Sequence, residues 1–123
     1  MPKIFIIEDD PLMAECIERA IRTLSGDFTI EIFSNAIAAM SALSDDPDAL
    51  PGLIMLDVLL DGPDGFTLLH ELSSYDDTAA IPVILVTSLR FNLADLEVYN
   101  VKNILSKDQM TPLKIAEAVQ NAL

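Results

Sequence analysis

Leu53-Ile54-Met55-Leu56-Asp57 is an unbroken apolar run that ends abruptly in a carboxylate. It reads as a strand buried on both faces that delivers an aspartate to one edge of a sheet. Working outward, Ile4-Phe5-Ile6-Ile7 has the same character and ends in Glu8-Asp9-Asp10. Val83-Ile84-Leu85-Val86 ends in Thr87, and the shorter stretch Lys102-Asn103-Ile104-Leu105-Ser106 ends in Lys107. Phe28 to Phe33 alternates apolar and polar residues, as an edge strand does.

Helical signals lie between these runs. Asp10-Pro11 is a cap followed by proline at the first helical position, and Met13, Ile17, Ala20, Ile21 and Leu24 keep a helical period until Gly26. Ser34-Asn35 opens a second helix through Ile37, Met40, Ala42 and Leu43. The loop Asp61-Gly62-Pro63-Asp64-Gly65 leads into a third, carrying Phe66, Leu68, Leu69 and Leu72. A weaker helix is expected over Leu93 to Tyr99. Thr111-Pro112 repeats the cap-plus-proline signal before Leu113, Ile115, Ala116, Val119 and Leu123. Five βα units imply an α/β fold, a parallel sheet with helices on both faces. In such sheets ligands bind beyond the carboxyl ends of the strands, which is where Glu8, Asp9, Asp57, Thr87 and Lys107 fall.

The 123 residues suit one domain spanning 1–123. The net charge is −13, and no Lys or Arg occurs between Arg22 and Arg90 against eleven carboxylates. Such a surface repels a phosphate backbone, so direct binding to nucleic acid is not expected. No apolar stretch approaches the roughly 18 residues that span a bilayer, and Met1-Pro2-Lys3 runs straight into a strand, so a cytoplasmic protein without a membrane partner is expected. The single cysteine, Cys16, cannot form an internal disulfide and is expected to be a small buried hydrophobe of the first helix.

The polar strand ends suit one chemistry. Mg2+ takes oxygen ligands and keeps several waters, so Asp9 and Asp57 are the candidate ligands, with Glu8 binding the ion directly or through one of its waters. Clustered carboxylates repel one another, and a divalent cation between them removes that cost. Asp57 would then act as a nucleophile toward phosphorus, forming a labile acyl phosphate. Lys107 would pair with one phosphoryl oxygen as a point charge, and the Thr87 hydroxyl would hydrogen-bond another. Asp10 reads as the helix cap and His70 as a plain helix-surface histidine.

These residues and spacings resemble the receiver domain of two-component response regulators across essentially the whole chain. The family's acidic pair matches Glu8 and Asp9, its phosphorylated aspartate Asp57, its Asp-Gly before the third helix Asp64-Gly65, its strand-four hydroxyl Thr87 and its strand-five lysine Lys107. The resemblance implies a flavodoxin-like (βα)5 fold of strand order 2-1-3-4-5, with the backbone carbonyl of Leu59 as a further ligand to Mg2+. It also implies a signalling phosphoacceptor rather than an enzyme with a separate substrate. The phosphoryl group would come from a histidine kinase or histidine phosphotransfer protein. The response would be a switch of the surface around the fourth crossover, strand five and the last helix, acting on an output domain or effector protein or through a phosphorylation-dependent homodimer.

Three departures stand out. Asp61 and Asp108 occupy positions where the family usually has proline, and Asp61 either crowds the metal site or faces solvent. Ile104 replaces the family's switch aromatic, with no ring to rotate. The span from Thr87 to Lys107 is short and lacks the small-residue turn before strand five, so the fourth crossover helix is expected to be short or irregular. These departures keep a pseudo-receiver, binding partners without phosphorylation, as the alternative. An aspartyl phosphatase of small phosphoesters would resemble an Asp-x-Asp pattern, which Asp57-Val58-Leu59 does not supply.

Overall fold

Apolar runs become the inner strands because only a fully covered strand can bury both of its faces. In the computed structural model, which describes residues 2–60 and 64–123, β1 (Lys3–Ile7), β3 (Leu53–Leu56) and β4 (Val83–Thr87) form the centre of a five-stranded sheet. Strands β2 (Thr29–Phe33) and β5 (Val101–Ser106) are its edges. The order is β2-β1-β3-β4-β5 and every pairing is parallel, as the sequence and its family resemblance imply. All residues of β3 and β4 are buried, whereas edge strand β2 leaves Thr29 and Ile32 exposed.

Alternation along the strands divides the core in two. Phe5, Ile7, Ile54, Leu56, Val83 and Leu85 face one side. There α2 (Ala36–Asp45) and α3 (Gly65–Ser73) cover them with Ala36, Ala39, Leu43, Leu68, Leu69 and Leu72. Ile4, Ile6, Leu53, Met55, Ile84 and Val86 face the other, under α1 (Pro11–Ile21) and α5 (Pro112–Ala122). A four-residue helix, α4 (Asp76–Ala79), follows α3; it is too short for a hydrophobic period to announce it.

The caps read from sequence at Asp10, Asn35 and Thr111 are made, and the structure adds one at Asp64. Asp10, Asn35, Asp64 and Thr111 accept hydrogen bonds from the amides of Leu12, Ala38, Thr67 and Lys114, at 3.0, 2.8, 3.0 and 3.2 Å. Each satisfies an amide that the first helical turn leaves unpaired. Leu93–Tyr99 is a 3₁₀ helix, which bears out the expectation of a short or irregular crossover. It ends at Asn100, whose φ of 59° makes the left-handed turn into β5 that a small residue would otherwise supply. Cys16 corrects an expectation, for it is exposed. The buried stripe of α1 is Ala14, Ile17, Ala20 and Ile21, and position 16 lies about 100° around the helix from Ile17. Among the described residues, no helix is long and apolar enough to cross a membrane.

Candidate functional site

Parallel register sets the site. Ile7 pairs with Leu56, so β1 and β3 end level and Glu8 and Asp57 leave the sheet side by side. The Asp57 amide donates to the Ile7 carbonyl at 3.0 Å, and the Glu8 amide to the Phe33 carbonyl at 2.9 Å. The main chain of both residues is thereby fixed at the sheet edge. On the other side, the Lys107 amide donates to the Thr87 carbonyl at 3.0 Å, which joins the ends of β4 and β5 in the same way.

Lys107 closes the group. Its Nζ donates to Glu8 Oε1 at 2.9 Å, Glu8 Oε2 at 3.2 Å and Asp57 Oδ2 at 3.0 Å. The side chains of Glu8 and Asp57 are 1% and 4% exposed, against 20% for Lys107, so the ammonium is their main compensation for lost solvation. Burial pushes the Glu8 carboxyl up from its ordinary 4.5 to about 7, with Asp57 adding to the rise and Lys107 opposing it. Burial alone would lower the Lys107 ammonium, yet Glu8 and Asp57 hold it above its ordinary value. The causes differ: burial is what chiefly raises Glu8, whereas the two carboxylates are what raise Lys107 against burial.

Asp9 joins that set. Carboxylate oxygens of Glu8, Asp9 and Asp57 all lie within 4.8 Å of one another, an oxygen-only arrangement that could hold a divalent ion. Asp57 Oδ1 accepts the Leu59 amide at 3.1 Å, so the peptide of Leu59 packs beside the carboxylate while its side chain stays 52% exposed. Thr87 is fully buried, and its hydroxyl oxygen accepts the Leu89 amide at 3.1 Å. Accepting through oxygen keeps the O–H proton available as a donor.

The loop after Asp57 depends on Gly65. A Cβ there would lie 2.6 Å from the Asp57 carbonyl oxygen and 2.8 Å from the Val58 Cα. Only hydrogen at that position lets the Gly65 amide reach the Val58 carbonyl at 2.9 Å. This close approach is invisible in sequence, where Asp64-Gly65 reads as the end of the loop that leads into the third helix. The Lys107 to Glu8 pair was also missed, since 99 positions separate the two. The available signal was that a buried Glu8 and Asp57 need a cation.

Other singled-out residues lie elsewhere. Asp10 caps α1 and does not join the cluster, and Asp108 is exposed. Ile104 is partly buried and packs on the α2 and α3 side of the sheet. His70 is exposed on α3, as expected of a surface histidine, and its ring lies edge-on to Tyr99 with centroids 5.5 Å apart. Asp61, with Gly62 and Pro63, lies outside the described residues.

This arrangement has counterparts among known proteins. The chain belongs to the response regulator receiver domain family, whose family model matches residues 4–120. Over 80 residues it is 38% identical to response regulator PleD of Caulobacter vibrioides (strain NA1000 / CB15N), a match covering 63% of this chain and 18% of PleD. It is 33% identical over 89 residues to the DNA-binding dual master transcriptional regulator RpaA of Synechocystis sp. (strain ATCC 27184 / PCC 6803 / Kazusa), covering 72% of this chain and 35% of RpaA. The matches thus span well under two thirds of either relative.

Solved structures agree on the fold. The Mn(2+)-bound form of response regulator Rcp1 superimposes with a TM-score of 0.78 at 24% identity, covering 96% of this chain and 89% of that one. The signal receiver domain of a signal transduction histidine kinase from Syntrophus aciditrophicus gives a TM-score of 0.81 at 27% identity, covering 100% and 90%. At family level, such domains serve two-component signalling with histidine kinases and output domains.

Proposed function

We propose that the chain is a phosphoacceptor whose Asp57 receives a phosphoryl group in a Mg2+-dependent reaction. The observation that carries this reading is the buried Asp57 carboxylate, 3.0 Å from the Lys107 ammonium and within 4.8 Å of the Glu8 and Asp9 oxygens. Glu8, Asp9, Asp57 and the Leu59 carbonyl would hold Mg2+, which when bound neutralises carboxylate and phosphoryl charge. Its fit rests on the oxygen-only donor set and on the burial of Glu8 and Asp57 against one shared ammonium.

A carboxylate oxygen of Asp57 attacks phosphorus. As that O–P bond forms, the P–N bond of a phosphohistidine donor breaks and the imidazole leaves with the bonding pair, to be reprotonated by solvent. Lys107 moves from Glu8 and Asp57 toward a phosphoryl oxygen, and Thr87 turns its O–H to another. Both movements pull on the ends of β4 and β5, and so bias the surface formed by the 3₁₀ helix, β5 and α5. The donor is a histidine kinase or histidine phosphotransfer protein. The recipient of the signal is an output domain, an effector protein or a second phosphorylated copy, and the reaction takes place in the cytoplasm.

Intact mass after incubation with acetyl phosphate, with and without Mg2+, tests the proposal. A gain of about 80 Da, one phosphoryl group, is expected for the wild type with Mg2+ and absent from Asp57→Asn. A gain retained by Asp57→Asn would overturn the site. Absence of any gain, from acetyl phosphate or from a phosphorylated kinase, would favour a pseudo-receiver that binds partners without phosphorylation, the reading that Asp61, Ile104 and Asp108 motivate.

A further inference from the structure

A groove of about 340 Å³ lies between the last turns of α2 and α3 and the short helix α4. Leu50, shortly before β3, and Thr78 of α4, shortly before β4, also line it, which places it near the amino ends of those strands and away from the carboxylate cluster at their carboxyl ends. Leu43, Leu68 and Leu72 form a buried apolar floor, while Met40 and Leu50 are half-buried walls. Tyr75 stands at the lip with 61% of its surface exposed. The volume is at the low end for binding sites, enough for one or two large apolar side chains.

The rim is acidic and unneutralised. Glu71 and Asp77 line the groove, and Asp45, Asp46, Asp48 and Asp76 neighbour its lining residues in sequence. No Lys or Arg occurs between Arg22 and Arg90. Among the described residues, the carboxylates that form ion pairs are Glu8, Glu15, Glu18 and Asp57, none of which is at this rim. We infer that this groove docks a basic amphipathic segment of a partner protein, with Leu- or Phe-like anchors on the apolar floor and Lys or Arg against Glu71 and Asp77. Apolar anchors in a groove supply affinity, and opposite charge at the rim supplies orientation and rate. Met40 adapts to the shape of the anchor. A second copy meeting it through the same face is a poor occupant, because it would bring an equally acidic rim against this one.

The inference goes beyond phosphotransfer and does not depend on it, since its test uses unphosphorylated protein. The probe is a synthetic helical peptide with Leu and Phe on one face and Lys and Arg on the other, compared with a counterpart of equal charge in which Ser replaces Leu and Phe. Amide shifts on titration are expected to centre on α2, α3 and α4. Ser44→Trp, at an exposed groove position, is expected to abolish the localised shifts. Reversing the rim with Glu71→Lys and Asp77→Lys should weaken binding about fivefold to tenfold, as two exposed pairs warrant. Thermal melts establish that each variant is folded. Equal binding of the Ser counterpart, shifts centred elsewhere, or concentration-dependent self-association through this face would each overturn the inference.

Discussion

The two halves of the sheet place their functional groups by different means. On the β1 and β3 side the strands are regular and level, and Glu8 and Asp57 follow from register alone. On the β4 and β5 side the pairing slips between Val83 and Ile84, so that Val83 pairs with Val101 but Ile84 with Asn103. The extra residue, Lys102, behaves as a bulge. A shift of one residue moves every later side chain to the opposite face. With the bulge in place, Ile104 packs on the same side as Leu85 and Leu105 on the same side as Val86. Lys107 then emerges beside Thr87. Regularity therefore builds the acid half of the site, and a local irregularity brings the cation to it.

Removing the cation should give the largest effect. Lys107→Ala leaves Glu8 and Asp57 buried together, and is expected to cost roughly 2–3 kcal/mol at neutral pH, somewhat less than fully buried pairs lose because the lysine is partly exposed and Glu8 can take up a proton. Mg2+ should restore much of that loss, as thermal melts with and without the ion would register. If the variant is as stable as the wild type, the ion pair does not hold the two halves together.

Gly65→Ala probes the acid half. A methyl group would meet backbone of Asp57 and Val58, which cannot yield as a flexible side chain can. A loss of about 1–3 kcal/mol is expected, as for overpacked sites, together with slower phosphorylation of Asp57. An unchanged melting temperature and rate would show that α3 can retreat without disturbing the carboxylate.

Dependence on pH sharpens the contrast between a paired and an overcharged half. Folded protein retains the Glu8 proton up to about 7, whereas an unfolded chain releases it near 4.5. The folded state therefore binds more protons in that window, and this group's contribution to stability falls as pH rises from 4.5 to about 7 and then levels off. Melting temperatures from pH 5 to 8 are expected to show the decline without Mg2+ and to lose it with the ion bound. Mg2+ affinity should rise across the same interval, because binding displaces the proton.

The smallest expected effect lies in the β5 half. Asn100 holds a φ of 59°, and its Nδ2 donates to the Ala80 carbonyl at 3.0 Å. Asn100→Ala should cost about 1–2 kcal/mol, because alanine keeps a Cβ in the left-handed region and loses the polar side chain that offsets it. Asn100→Gly should cost less, having lost only the side-chain bond. Chemical denaturation of both variants separates backbone strain from the hydrogen bond.

Much of this was legible before any coordinates. The continuous apolar runs required buried parallel strands, and the caps at Asp10, Asn35 and Thr111 placed three helix starts where they occur. Asp57, Thr87 and Lys107 were recognisable as strand-end groups because strands end where apolar runs end. Cys16 falls beside the buried stripe of α1 rather than on it, a distinction that apolar character alone does not make. Helix α4 gave no signal, since four residues make too short a window for any period.

The sequence by itself determined which residues the strands would present at one edge, and hence the chemistry available there, because burial of a continuous apolar segment is a local requirement, met in β1, β3 and β4. Only the tertiary structure decided how those residues meet. The Lys107 contact with Glu8, the approach of Gly65 to the Asp57 carbonyl, the slip at Lys102 and the acid-rimmed groove between α2, α3 and α4 each join segments far apart in the chain or turn on register. Such contacts are set by the packing of whole elements against one another, which no single stretch of residues specifies.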